Sequence, residues 1–212
     1  MDELVGKDPH ALHRHFVATA RDIAQPLHQA ILRVGPVTLP RRDRTAFGVF
    51  LGRAIVGQQL SPAAAGTIWG RIEQAAAEAG EGIPGFFRPE NAPHVRGCGV
   101  SRAKLRALMG IAEADANGSI DARLLRALDH GDRAERLLAL PGVGPWTCDM
   151  VSLFYFRAPD IWPEGDLAVQ RTFRRLIGRR SPGRAAARFA PFRSHLAVAM
   201  WRLVDLERKK GG

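Results

Sequence analysis

Leu140-Pro141-Gly142-Val143-Gly144-Pro145-Trp146 decides how the rest of the chain is read. Upstream, Leu124, Leu125, Leu128, Leu137 and Leu138 recur at helical spacing. Downstream, Cys148, Met150, Val151, Leu153 and Phe154 do the same. The pattern is helix, tight turn, helix. Two glycines in so short a turn admit positive φ and let another backbone come close. Pro145 suits the first turn of the second helix, where a missing N–H costs nothing. The amides of Gly142, Val143 and Gly144, with Thr147 just beyond, are then expected to point outward at the positive end of a helix, ready for an anion such as a DNA phosphate. The glycines alone fit a plain helical corner equally well.

Outward from this hairpin the chain continues in helices. Residues 121–128 and 133–140 read as two short helices leading into it, and residues 151–156 as the end of a long central helix. Residues 101–117 carry Leu105, Leu108, Met109 and Ile111 as a stripe, with Arg102, Lys104 and Arg106 mostly on other faces and Asn117-Gly118 as the stop. Ser61 with Pro62 opens a helix over residues 63–79, and residues 80–93 read as a Gly/Pro-rich loop. Asp43 is the expected cap of the helix bearing Phe47, Phe50, Leu51, Ala54 and Ile55. Residues 9–34 are helical, kinked or split at Pro26. On the other side, residues 157–165 are a broken loop, residues 166–177 a helix ended before Pro182, and residues 191–206 a buried closing helix. No period-2 alternation occurs, so the fold class is all-α, with roughly ten helices.

The chain has 212 residues, of which 46% are hydrophobic, enough for a substantial core. Lys+Arg 31 against Asp+Glu 21 leaves +10, with arginines dense between 171 and 188 and basic residues again at 208–210. Such a surplus favours a polyanion partner, most simply nucleic acid, although a solvated basic surface gives the same count. Two cysteines, Cys98 and Cys148, exclude a disulfide framework and a four-cysteine iron–sulfur cluster. Cys148 sits among core residues. His10, His13 and His15 lack acidic or cysteine partners at ligand spacing and read as exposed. No apolar run reaches membrane-spanning length, and residues 1–7 lack a signal pattern, so a cytoplasmic, nucleoid-associated protein is expected.

Two further segments carry chemistry: Ile55-Val56-Gly57-Gln58-Gln59-Leu60-Ser61, and Pro163-Glu164-Gly165-Asp166-Leu167. Taken with Leu140-Pro141-Gly142-Val143-Gly144-Pro145-Trp146-Thr147-Cys148-Asp149-Met150, they make the chain resemble the helix-hairpin-helix/Gly-Pro-Asp superfamily of DNA glycosylases, and within it the 3-methyladenine DNA glycosylase II type. The resemblance spans about residues 47–201. It implies a two-lobed helical fold with the active site in the cleft between lobes. One lobe covers about 45–160, including the hairpin at 133–156. The other takes 1–44 and 161–212, in a single catalytic domain of 1–212. The large N-terminal extra domain of some relatives is not expected here. A monomer acting on damaged double-stranded DNA, without a membrane partner, is expected.

The resemblance also assigns roles. Asp166 reads on its own as a helix N-cap; the family makes it the catalytic carboxylate, and the two roles are compatible. Breaking a base–sugar bond leaves positive charge on the sugar, which a fixed carboxylate stabilises. Bases alkylated on a purine ring nitrogen already carry charge and leave without protonation, so Glu164 is read as solvent-exposed rather than as a partner acid. Trp146 stands where relatives that also cleave the backbone carry a Schiff-base lysine. That implies a monofunctional enzyme without lyase activity, in which the indole stacks on a cationic base; core packing is the alternative. Met150 and Phe192 stand where some members have aromatic pocket residues. Gln59 is the expected wedge filling the gap left by a flipped base, with Leu60 as the apolar alternative and Gln58 beside them; capping of helix ends is the competing reading for both glutamines. Arg171, Arg193 and Ser194 are candidate phosphate contacts, and His195 has no assigned role. The backbone carbonyls of Leu138, Leu140 and Val143 match those that hold a monovalent cation (Na+ or K+) in relatives; no cofactor is required. The implied function is hydrolytic release of 3-methyladenine and 7-methylguanine by base flipping. The same fold acting on oxidised or deaminated bases, or a non-catalytic damage-binding module, are the alternatives.

Overall fold

The computed structural model describes residues 8–40 and 45–209. The expected cap Asp43, the N-terminal residues 1–7 and Lys210 lie outside the described residues. The chain divides into two compact units: a terminal unit, Met1–Arg41 with Ser152–Gly212, and a hairpin unit, Arg42–Val151. No strand occurs among the described residues.

The terminal unit begins with α1 (Pro9–Ile23) and α2 (Gln25–Val34). The hairpin unit holds α3 (Phe47–Gly57), α4 (Pro62–Glu78), α5 (Ala92–Gly97), α6 (Arg102–Ala116), α7 (Ala122–Ala127), α8 (His130–Leu138) and α9 (Pro145–Met150). A π-helical stretch, Val151–Tyr155, follows, and α10 (Leu167–Ile177), α11 (Pro182–Ala187) and α12 (Arg193–Arg208) complete the terminal unit.

Short polar side chains start half of these helices by taking an amide that the helix cannot satisfy internally. Asp8 accepts from His10 N at 2.9 Å, Ser61 from Ala64 N at 3.2 Å and Ser101 from Lys104 N at 3.3 Å. Asp121 accepts from Arg123 N at 2.8 Å and Asp129 from Asp132 N at 2.9 Å. The expected helix over residues 9–34 is split rather than kinked. Ala24 is extended (φ −162°), and Pro26 falls in the first turn of α2, where it is harmless. The expected loop over residues 80–93 is more ordered than its composition implies. Buried Asn91 donates to Glu81 and to Phe86 O, and the chain turns through a 3-10 helix, Pro89–Asn91, into α5. The expected central helix changes register at Val151, where α9 gives way to the π-helix.

In the terminal unit the stripe Leu12, Phe16, Ala20 and Ile23 of α1 is buried with Leu27 and Ile31 of α2, Phe173 and Ile177 of α10, and Leu196 and Met200 of α12. Each fully buried Leu, Ile, Phe or Met side chain among them contributes about 1.5–3 kcal/mol. In the hairpin unit α3 approaches its neighbours at Gly52. A Cβ there would meet Leu108 at 3.3 Å, Phe87 at 3.4 Å and Trp69 at 3.5 Å. The unit's core thus closes around a position with no side chain.

Candidate active site

Asp166 ends a loop whose Ile161, Trp162 and Pro163 are buried and whose Glu164 and Gly165 are exposed. Asp166 N donates to Pro163 O at 3.1 Å, and Gln170 Nε2 donates to the same oxygen at 3.2 Å, so the loop is tied to the helix it precedes. Asp166 Oδ1 accepts from Val169 N at 2.9 Å, which makes the residue the N-cap of α10. The same oxygen accepts from Trp201 Nε1 at 3.3 Å. The indole of Trp201 stacks on Phe154, with ring centroids 5.4 Å apart and planes 29° from parallel. The carboxylate therefore sits at a positive helix end against an aromatic wall, in fixed orientation.

The aromatic residue beside Asp166 is Trp201, which the sequence does not single out, and not the expected Phe192. Phe192 is only 6% exposed and belongs to the hydrophobic core of the terminal unit, with its ring against His15 and His195. The signal for Trp201 was its own indole N–H, a donor that a largely buried helix must satisfy. Two expected phosphate contacts are also internal. Ser194 is fully buried; its hydroxyl donates to Ala158 O at 2.6 Å and accepts from Ile161 N at 2.9 Å. Arg193 is held by Asp160 at 2.7 and 2.8 Å. Burial by itself would raise the Asp160 carboxyl, but the Arg193 side chain, amide and charge together hold it below the usual range. These bonds brace the loop that delivers Asp166. His195 is 7% exposed with Nδ1 unsatisfied, and burial, reinforced by Arg157, pushes its imidazole down to about 4.

Arg171, Arg174, Arg175, Arg179, Arg180, Arg184 and Arg188 are all exposed. Arg175 pairs with Glu207 and Arg188 with Asp22. No carboxylate partner occurs for Arg171, Arg174, Arg179 or Arg184 among the described residues. The terminal unit thus exposes a run of arginines between 171 and 188.

In the hairpin unit the two glycines of the turn serve different ends. Gly142 has φ +77°, and a Cβ on it would lie 2.9 Å from the Ala107 methyl of α6. Gly144, the N-cap of α9, has φ −116°, and a Cβ there would meet nothing within 4 Å. The outward amides are fewer than expected. Val143 N donates to Leu140 O at 3.2 Å, and the Val143 side chain is buried. Thr147 is 2% exposed and spends its hydroxyl on Gln58, so it does not face a phosphate. Trp146, 38% exposed, stands in the first turn of α9, whereas Met150 is buried. His130 Nε2 lies 3.2 Å from Asp149 Oδ1 and joins α8 to α9. Cys148 is buried, and burial, helped by the charge of Asp149, pushes its thiol up to about 11.

The glutamine loop is tied to the hairpin. Gln58 Nε2 donates to Gly142 O at 3.1 Å and to Thr147 Oγ1 at 3.2 Å. Gln58 is thus a bridge and not a wedge. Gln59 and Leu60 are exposed, and Gln59 has φ +59°. Lys104 of α6, expected mostly off the apolar stripe, donates to Val56 O and Gln58 O, both at 2.8 Å. A stripe pattern says which face of a helix is buried; it says nothing of where a long aliphatic stem carries its charge.

No protein-family model matches the chain. DNA-3-methyladenine glycosylase 1 of Schizosaccharomyces pombe is 30% identical over 163 residues, covering 73% of this chain and 71% of that protein. A probable bifunctional transcriptional activator/DNA repair enzyme of Mycobacterium tuberculosis is 28% identical over 208 residues, which is 86% of this chain and 38% of that longer protein. Among solved structures, a DNA-3-methyladenine glycosidase of Bacillus halodurans superposes with a TM-score of 0.75 at 27% identity, over 92% of this chain and 91% of the other. The 3-methyladenine DNA glycosylase of S. pombe in complex with abasic DNA gives 0.77 at 26% identity, over 90% and 95%. With that likeness over most of both chains, and with the hairpin and the helix-capping aspartate in its fold, this chain belongs to the DNA-3-methyladenine glycosylase family.

Proposed function

We propose that the protein releases alkylated purines, 3-methyladenine and 7-methylguanine, from double-stranded DNA by hydrolysing the N-glycosidic bond of a flipped nucleotide. The observation that carries this reading is the carboxylate of Asp166, oriented by the first turn of α10 and by Trp201. As the base departs, positive charge grows on the sugar, and a preorganised carboxylate stabilises it and orients the attacking water. Trp146 offers an aromatic face to an electron-poor base, worth about 0.5–2 kcal/mol in cation–π attraction. Trp146 supplies no amine, so attack by water, without cleavage of the backbone, is the chemistry these residues favour.

The hairpin turn and the run of arginines supply phosphate contacts, and Gln59, or Leu60 beside it, fills the space left by the base. The carbonyls of Leu138, Leu140 and Val143 are neutral oxygen donors on a turn closed by the Val143 N–H to Leu140 O bond, a set that fits a hard monovalent cation. When bound, that ion would add positive charge beside a DNA phosphate.

The test is base release from duplex DNA treated with a methylating agent, wild type beside Asp166→Asn, with the freed bases identified. Release of 3-methyladenine or 7-methylguanine by wild type, largely lost in the variant, is the expected result. Tight, salt-sensitive binding without release would overturn the reading in favour of a damage-binding module.

A further inference from the structure

The last carbonyls of a helix have no partner inside it. At the end of α3, Val56 O and Gln58 O are both taken by one ammonium, Lys104 Nζ, at 2.8 Å each. The position suits a cation, since carbonyl dipoles converge there. It is also partly desolvated, and burial lowers the lysine below its ordinary value. Capping α3 would account for the bond to Val56. The second bond falls on the C-cap residue itself, Gln58, one past the last helical residue, Gly57, and so acts on the loop as well as on the helix end.

What that second carbonyl controls is the next residue. Gln58 O and Gln59 N belong to one planar peptide, so fixing the oxygen fixes the plane. Gln59 then adopts φ +59°, the left-handed region that residues with a Cβ avoid unless their surroundings impose it. Three contacts impose it here: Lys104 on Gln58 O, the Gln58 side chain on Gly142 O and Thr147 Oγ1, and Leu60 N on Gly57 O at 3.2 Å. The Gln59 side chain itself makes no hydrogen bond among the described residues and is exposed. The backbone is held so that the side chain need not be.

We propose that Lys104 is a positioning residue for the gap-filling side chain: by binding the carbonyls of Val56 and Gln58 it holds residue 59 in the left-handed conformation from which Gln59 enters the space a flipped base vacates. The assignment rests on the excision function proposed above.

Duplex and unpaired substrates separate this role from simple support of the fold, because only a duplex has a gap to fill. Single-turnover base release is measured for wild type, Lys104→Met, Lys104→Arg, Gln59→Ala and the Lys104→Met/Gln59→Ala double variant. Each acts on one methylated strand, either annealed or single-stranded. Lys104→Met is expected to lose about tenfold on the duplex, within the roughly 10²-fold that a misplacement of about 1 Å can cost. On the single strand it should stay within about twofold of wild type, and Lys104→Arg should recover most of the duplex rate. The double variant should be no slower than Gln59→Ala, since both changes remove one device. Where Lys104→Met does not fold, Lys104→Gln, which keeps one donor, takes its place. Equal losses on both substrates, or additive losses in the double variant, would overturn the assignment. Wild type that releases no base from either substrate would instead overturn the function on which it rests.

Discussion

The two units fix their functional side chains by opposite means. In the terminal unit Asp166 is bound through the very carboxylate proposed to act: Oδ1 takes Val169 N and Trp201 Nε1. In the hairpin unit the bonds fall on the neighbours of Gln59, and its side chain is left uncommitted. The difference follows from the tasks. A carboxylate that stabilises a developing charge works best when it need not reorganise, so tethering the reacting group itself is useful. A side chain that must enter DNA has to be free at its tip, so the backbone carries the restraint instead.

The largest expected effect tests the first half of that contrast. Asp166→Asn keeps the shape of the cap and removes the charge. Base release should fall by about 10²–10³, as when one preorganised electrostatic group is lost. Unfolding free energy should shift by no more than about 0.5 kcal/mol, because asparagine caps helices as well as aspartate does. Asp166→Ala should lose similar activity and about 1 kcal/mol of stability besides. Urea titrations beside single-turnover assays check both. An Asn variant that unfolds more easily yet still releases base would mean that Asp166 is a cap alone.

The second effect is confined to the terminal unit. The imidazole of His195 titrates near 4 in the fold, against an ordinary value of 6.5. The unfolded chain therefore takes up a proton first as pH falls. The stabilisation is full above about pH 6.5 and is lost as pH drops toward 4. Each pH unit that separates the folded from the unfolded titration corresponds to about 1.36 kcal/mol, so the whole contribution is at most on the order of 3 kcal/mol. Denaturant titrations between pH 7.5 and about 4 should show that loss in wild type, and a much smaller one in His195→Leu. A parallel decline in both proteins would assign the acid sensitivity elsewhere.

Gly142→Ala comes next. It places a methyl 2.9 Å from Ala107 in a residue with φ +77°, so a loss of about 1–3 kcal/mol is expected in thermal or urea unfolding. Trp201→Phe is milder. It keeps an aromatic ring for Phe154 but removes the donor to Asp166, worth about 1 kcal/mol, or up to about tenfold in base release. An unchanged rate would mean that the cap bond from Val169 orients the carboxylate unaided.

How far the sequence carried these assignments depends on what kind of signal each needed. Helix starts were legible because Ser61, Ser101, Asp121 and Asp166 cap by local chemistry, two or three residues from their partners. Asp166 and the hairpin were legible from motif order. What failed was long-range direction. Nothing local says that Thr147 turns inward to Gln58, which lies 89 positions away. Nothing local says that Lys104 reaches back to Gln58 O, or that the aromatic neighbour of Asp166 is Trp201 and not Phe192. Arg133 makes the same point. It is a charged residue that is nevertheless buried, with its guanidinium on Leu125 O and Leu128 O at the end of α7.

The smallest expected effect on folding sharpens the comparison most. Gly144 needs no glycine for its own sake. Its φ of −116° is open to any residue, and a Cβ would meet nothing within 4 Å. Gly144→Ala should therefore leave stability within about ±0.5 kcal/mol. A glycine that the fold does not require leaves room for something that approaches from outside. In the proposed function that is a DNA phosphate, which would meet the added methyl. The variant should bind DNA more weakly than wild type across the salt range, and the loss should be independent of whether the duplex carries a damaged base, since phosphate contacts carry no sequence information. Gly142→Ala should weaken DNA binding only as far as it disturbs the turn. If Gly144→Ala binds DNA as wild type does, phosphate docking belongs to the arginines of the terminal unit, and the hairpin's part reduces to holding Gln58 and Trp146 in place.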